Sequence, residues 1–66
     1  MKARYDGEVD AAYIQFSSKI PKGAMEAKEG VVVHLTNKDE IVGIEILKAS
    51  EHFPIRNLHH FQFVTH

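Results

Sequence analysis

Residues 30–50 read GVVVHLTNKDEIVGIEILKAS, and the way this stretch folds decides how the rest of the chain can pack. Two apolar, β-branched runs, Val31 to Leu35 and Ile41 to Leu47, flank the polar segment Thr36-Asn37-Lys38-Asp39-Glu40. Branched side chains suit a pleated strand, and Asn, Asp and Thr bond to their own backbone in turns, so the stretch predicts a β-hairpin. Two registers satisfy it. With Lys38-Asp39 as a two-residue loop, Leu35 faces Val42, Val33 faces Ile44 and Val31 faces Ile46, giving one wholly aliphatic face. With a type I turn over Thr36 to Asp39 and Asp39 as a left-handed bulge residue, Val32 faces Ile44 and His34 faces Val42, because a one-residue slip turns a strand over. The first is preferred for its cleaner segregation, and because Asp is costlier than Gly in the left-handed region. It leaves Val32, His34, Thr36, Ile41, Gly43 and Glu45 on a second, mixed face.

On the N-terminal side, Lys2 to Tyr5 predicts a short strand ended by the turn dipeptide Asp6-Gly7. Ala11 to Ser17 follows as a second strand, with Ala12, Ile14 and Phe16 on one face and Tyr13 on the other. A helix over Val9 to Phe16 also fits a three-and-four spacing, but the segment is short and Asp-Gly suits a hairpin. Pro21 and Gly23 break the connection that follows, and Ala24 to Lys28 predicts a strand beside Val31, with a turn at Glu29-Gly30. Beyond Leu47, Lys48 to Phe53 predicts a helical turn halted by Pro54, which steers its predecessor out of the helical region. Residues 51–66 form an apolar tail: Ile55, Leu58, Phe61, Phe63 and Val64 are too greasy for a solvated end and are the candidate interface residues.

The expected architecture is a single mainly β (small α+β) domain over residues 1–66, with a core at 2–50. It is an antiparallel β-meander of four to five strands with a short C-terminal helical turn. In this size range a single core supplies only about 3–5 kcal/mol. The chain has no Cys, so neither a disulfide nor a thiolate zinc site can staple it, and a homodimer is the simplest source of further burial. Eight Lys and Arg stand against nine Asp and Glu, a net charge of -1, and the basic residues are scattered. Nucleic-acid binding by the isolated domain is therefore not expected; it would need a basic face built by dimerisation. No run approaches the about 18 apolar residues of a membrane helix, and the first ten residues lack a signal peptide's apolar segment, so a cytoplasmic protein is expected.

Several of these residues resemble the family of short prokaryotic proteins known as domain of unknown function 2283. The resemblance is carried by Tyr5-Asp6, Asp10-Ala11-Ala12-Tyr13-Ile14, Phe16-Ser17, Gly30-Val31-Val32-Val33 and, above all, Val42-Gly43-Ile44-Glu45-Ile46-Leu47 with Ala49-Ser50. It implies a small antiparallel sheet with a short helical piece, and it brings no established activity. Some members are similar in size and gene context to antitoxin partners of small ribonuclease-like toxins. This chain departs from the family pattern at His34, where an acidic residue is common, at Asp39, where the turn usually has Gly, and after Ser50, where it extends further.

The candidate chemistry is sparse. Asp6, Glu8 and Asp10 alternate like calcium ligands but lack the central Gly and the downstream bidentate Glu, so turn chemistry accounts for them. Glu45 falls opposite Val32 and diagonal to His34, within reach of an imidazole. As a ligand or proton-transfer pair, completed by a tail His, these two would support metal binding or metal-dependent hydrolysis; the plainer readings are a polar pair on a sheet face and an interface contact. The five histidines, His34, His52, His59, His60 and His66, lack the i, i+4 spacing of a helical zinc site, and adjacent strand residues such as His59 and His60 point apart. Ser17, Ser18 and Ser50 read as turn and cap residues. No cofactor and no enzymatic activity are expected. The leading functional expectation is a protein-interaction module, in antitoxin-like form a partner of a small toxin; the alternatives are the His34 and Glu45 metal site and a dimeric nucleic-acid binder.

Overall fold

The computed structural model describes residues 1–58, with Ile55 described by its backbone alone. Five strands form one antiparallel sheet: β1 (Lys2–Asp6), β2 (Ala11–Gln15), β3 (Gly23–Lys28), β4 (Val31–Leu35) and β5 (Ile41–Leu47), in the order β1-β2-β5-β4-β3. A 3₁₀ turn (Ala49–Glu51) and a one-turn helix α1 (Ile55–Leu58) follow. The mainly β architecture is as expected, and β3, β4 and β5 make the meander. The connection after β2 crosses to the far edge, because β5, the longest and among the most apolar strands, takes the centre and pairs with both β2 and β4.

The central hairpin combines its two possible registers. The backbone N–H of Asp39 donates to the Thr36 carbonyl at 3.1 Å, that of Thr36 donates to the Glu40 carbonyl at 2.9 Å, and Asp39 has φ 61. This is the type I turn with its left-handed residue, so the two-residue loop is corrected. Leu35 accordingly pairs with Ile41 and not with Val42. One residue further on, Val42 is left without a partner on β4, and from there the pairs are His34 with Gly43, Val33 with Ile44 and Val31 with Ile46. A bulge at Val42 thus restores the aliphatic facing that the preferred register requires, which the turn alone would have inverted. The Val42 carbonyl accepts from both Phe16 N–H (2.8 Å) and Ser17 N–H (3.1 Å), which anchors the bulge to the end of β2. Thr36 is buried, its hydroxyl accepting from the N–H groups of Lys38 and Glu40.

Alternation across the ladder gives two unlike faces. One carries the row Ala3, Ile14, Ile44, Val33, Met25. The other carries the row Arg4, Tyr13, Glu45, Val32, Glu26. At the end of the aliphatic face Ala12, Ala49 and Leu58 are buried together, with Tyr5 and Ile46 packed against them. Leu58, 3% exposed, is therefore sheltered within its own chain. The other candidate interface residues Phe61, Phe63 and Val64 lie outside the described residues, as does the Ile55 side chain. Strand β3 is bulged at Ala27, which has no partner between the Glu26–Val32 and Lys28–Val31 pairs.

Candidate functional site

Two constellations stand out, one at the end of the sheet and one on its mixed face. The first is built on Asp10, held at φ 53 in the turn before β2. Its Oδ1 accepts from the Tyr5 hydroxyl (2.7 Å) and from Ser50 N–H (3.0 Å), and its Oδ2 accepts from the Ser50 hydroxyl (2.6 Å). Its backbone carbonyl accepts from Ala49 N–H at 2.9 Å. One residue thus ties β1 and the 3₁₀ turn together over the Ala12 and Ala49 contact. The Ser50 hydroxyl, followed by that of Tyr5, stabilises the charged form and holds the Asp10 carboxyl below the usual carboxylate range. The hydrogen bond to that carboxylate pushes the Tyr5 phenol up in turn. Lys48 at φ 50 turns the chain into this lock. The arrangement is a structural pin: every acceptor position of Asp10 named here is spent on holding backbone and side chain in place.

Asp6, Glu8 and Asp10 do not converge. Asp6 Oδ1 accepts from Glu8 N–H at 3.0 Å in a local turn, while Asp10 points to Ser50. Ser17 behaves as a turn residue, its hydroxyl accepting from Lys19 N–H at 3.0 Å. A further exposed ion pair, Lys19 Nζ to Glu40 Oε2 at 2.6 Å, ties the β2–β3 connection to the hairpin turn and lowers the Glu40 carboxyl pKa.

The second constellation occupies the mixed face. His34 Nε2 lies 3.4 Å from Glu45 Oε1, as their diagonal placement on β4 and β5 requires. The Tyr13 ring meets the His34 ring edge-on, with centroids 5.7 Å apart at 66°, and the Arg4 guanidinium sits 5.5 Å above Tyr13. Tyr13 can lie flat here because Gly43 has no side chain: a Cβ at Gly43 would fall 2.6 Å from Tyr13 Cζ and 2.8 Å from the Ile14 carbonyl oxygen. Arg4, Tyr13 and Glu45 also line a shallow hollow that runs toward Gly7 and Val9. Among the described residues no three His, Cys, Asp or Glu side chains come together as a metal cluster. His52 lies apart, beside Phe53 and Gly30, and His59, His60 and His66 lie outside the described residues.

The strand pattern alone brings His34 beside Glu45, whereas the Asp10 pin and the Tyr13–Gly43 contact emerge only in the folded chain. The signal for each was present: Tyr5, Asp10, Tyr13, Gly43, Ala49 and Ser50 are all among the residues that carry the family resemblance, but their separation in sequence hid that they touch.

A single five-stranded sheet locked at one end by an Asp-Ser-Tyr pin defines a small β domain. Residues 2–50 match the model of the family described as Protein of unknown function (DUF2283), and the chain belongs to that family. The matched span ends at Ser50, the residue that closes the pin. No curated protein matches the chain, and neither does any solved structure.

Proposed function

We propose that the protein is an interaction module, a small β-rich homodimer that binds a second protein. The observation that carries this reading is the thinness of the core. Among the described residues the buried apolar side chains are Ala12, Val42, Ala49 and Leu58, two of them alanines. Ile14, Val31, Val33, Ile44 and Ile46 are only half-buried, and Met25 and Ile41 are 54% and 53% exposed. One layer of sheet shelters little by itself, and pairing with another chain at about 800 Å² per partner supplies the missing cover. In its specific form the second protein is a small ribonuclease-type toxin, a suggestion supported by the size and gene context of similar family members. Nothing in the reading assigns a reaction to the chain itself.

Sedimentation of the purified chain at about 100 μM tests the homodimer, since a Kd near 10 μM leaves most chains paired there; a monomer at that concentration overturns it. Co-expression with the product of the adjacent gene tests the partner. A complex that co-elutes and suppresses that protein's ribonuclease activity supports the antitoxin form, and separate elution removes it.

A further inference from the structure

We propose that His34 and Glu45 are half of a tetrahedral zinc site, completed by the same pair from a second copy of this chain. The distance is the first reason. At 3.4 Å, His34 Nε2 and Glu45 Oε1 are beyond the about 2.7–3.2 Å of a sound N–H···O hydrogen bond. Two ligand atoms each about 2.0–2.1 Å from a tetrahedral zinc are separated by about 3.3–3.4 Å, so the pair already has the edge length of such a site.

The second reason is placement. Both side chains come from the paired strands β4 and β5, and the Tyr13 ring fixes the imidazole from the side. They remain 27% and 35% exposed, so an ion and a facing molecule can reach them. Two imidazoles and two carboxylates neutralise a divalent cation and satisfy its preference for four nitrogen and oxygen ligands.

The third reason identifies the completing ligands. Among the described residues no third His, Cys, Asp or Glu joins the pair, so these residues supply two of the four ligands. Leu58 packs with Ala12 and Ile46 on the opposite face of the sheet, so the last residue of α1 is not on the mixed face. A second copy apposed through the mixed face brings the missing two ligands directly, in a self-complementary two-fold contact. This association uses the face opposite the aliphatic one and does not depend on the homodimer proposed above.

Zinc titrated into the full chain, followed by calorimetry and by sedimentation, tests the site. One zinc per two chains is expected, doubling the mass of a metal-free monomer or linking metal-free dimers into longer assemblies, with EDTA reversing it. His34→Ala and Glu45→Gln should each weaken zinc binding by more than the about 10–100-fold typical of losing an outer-shell partner, and both should abolish the zinc-dependent mass increase. Their metal-free melting curves, close to that of the parent, establish that they fold. Cobalt in place of zinc should give the intense visible absorption of a tetrahedral ion. No binding, one zinc per chain without a change in mass, or a response retained in both variants overturns the proposal, as does its loss when His59, His60 and His66 are replaced by Ala. A parent chain that forms metal-independent dimers but binds no zinc leaves the homodimer proposed above standing while this site fails.

Discussion

Gly43→Ala is the substitution in which a single methyl group tests how the two halves of the sheet are joined. The new Cβ would overlap the Tyr13 hydroxyl and lie 2.6 Å from Tyr13 Cζ and 2.8 Å from the Ile14 carbonyl oxygen. Comfortable contact between non-bonded carbons needs about 3.5–4.0 Å, so close to 1 Å of movement is demanded on the ring side. The ring has little room, with His34 on one side and Arg4 above it. The Ile14 carbonyl belongs to the β2–β5 ladder and cannot retreat without opening the Ile14–Ile44 pairing. Overpacking of this kind costs about 1–3 kcal/mol. Replacing Gly elsewhere returns about 0.4–1 kcal/mol through the unfolded chain, so a net loss of about 1–2 kcal/mol is expected. In a domain of this size that lowers Tm by roughly 4–16 °C, at about 4–8 °C per kcal/mol. Thermal and urea unfolding followed by circular dichroism measure it. In a Tyr13→Ala background the ring contact is gone and the penalty should shrink by about 0.5 kcal/mol or more, the size of coupling expected for touching residues. A neutral or stabilising Gly43→Ala, or equal penalties in the two backgrounds, would refute the packing argument.

Asp10→Asn should destabilise most at neutral pH. The folded pKa of Asp10 is depressed, so its contribution is fully present above the unfolded value of about 3.9 and is lost as pH falls through the lower folded value; the difference in Tm from the parent should be large at neutral pH and close up in that acid window, and a gap independent of pH would contradict the pin. Leu58→Ala, at a site 3% exposed against Ala12 and Ala49, should cost about 2–5 kcal/mol, comparable to all that one small core supplies. Urea unfolding that barely shifts would mean the helix α1 is dispensable. Asp39→Gly, at φ 61, should stabilise by up to about 1 kcal/mol once the unfolded-state cost of Gly is subtracted from the relief of left-handed strain; a lower Tm would show that the Asp39 side chain contributes more than the strain removes.

The strands were legible because their cause is local: β-branched runs, alternation and Gly or Pro breaks mark each of the five. The facing of Val31, Val33, Ile44 and Ile46 was legible for the same reason, since only that facing segregates aliphatics from His34 and Glu45. The turn type was not legible, because in this hairpin the turn and the register beyond it do not agree. The bulge at Val42 separates them, and its cause is tertiary: a carbonyl shared by Phe16 and Ser17, twenty-five residues or so away in sequence. The crossing from β2 to β3 was also hidden, because hydrophobic pattern says which strands want the centre of a sheet but not which neighbour each one takes. The same limit applies to Asp10. In DGEVD it looks like one of three alternating carboxylates, and only the folded chain shows that it spends itself on Ser50, forty residues on.

The bulge at Val42 makes the hairpin loop a replaceable part. Because one unpaired residue absorbs the half-turn of facing between Ile41 and Gly43, the tip from Asn37 to Asp39 can be exchanged or lengthened while the strand behind it keeps its orientation. Each doubling of such a loop costs only about 0.6 kcal/mol. A reporter peptide grafted there would sit at the end of β5 opposite the Asp10 lock.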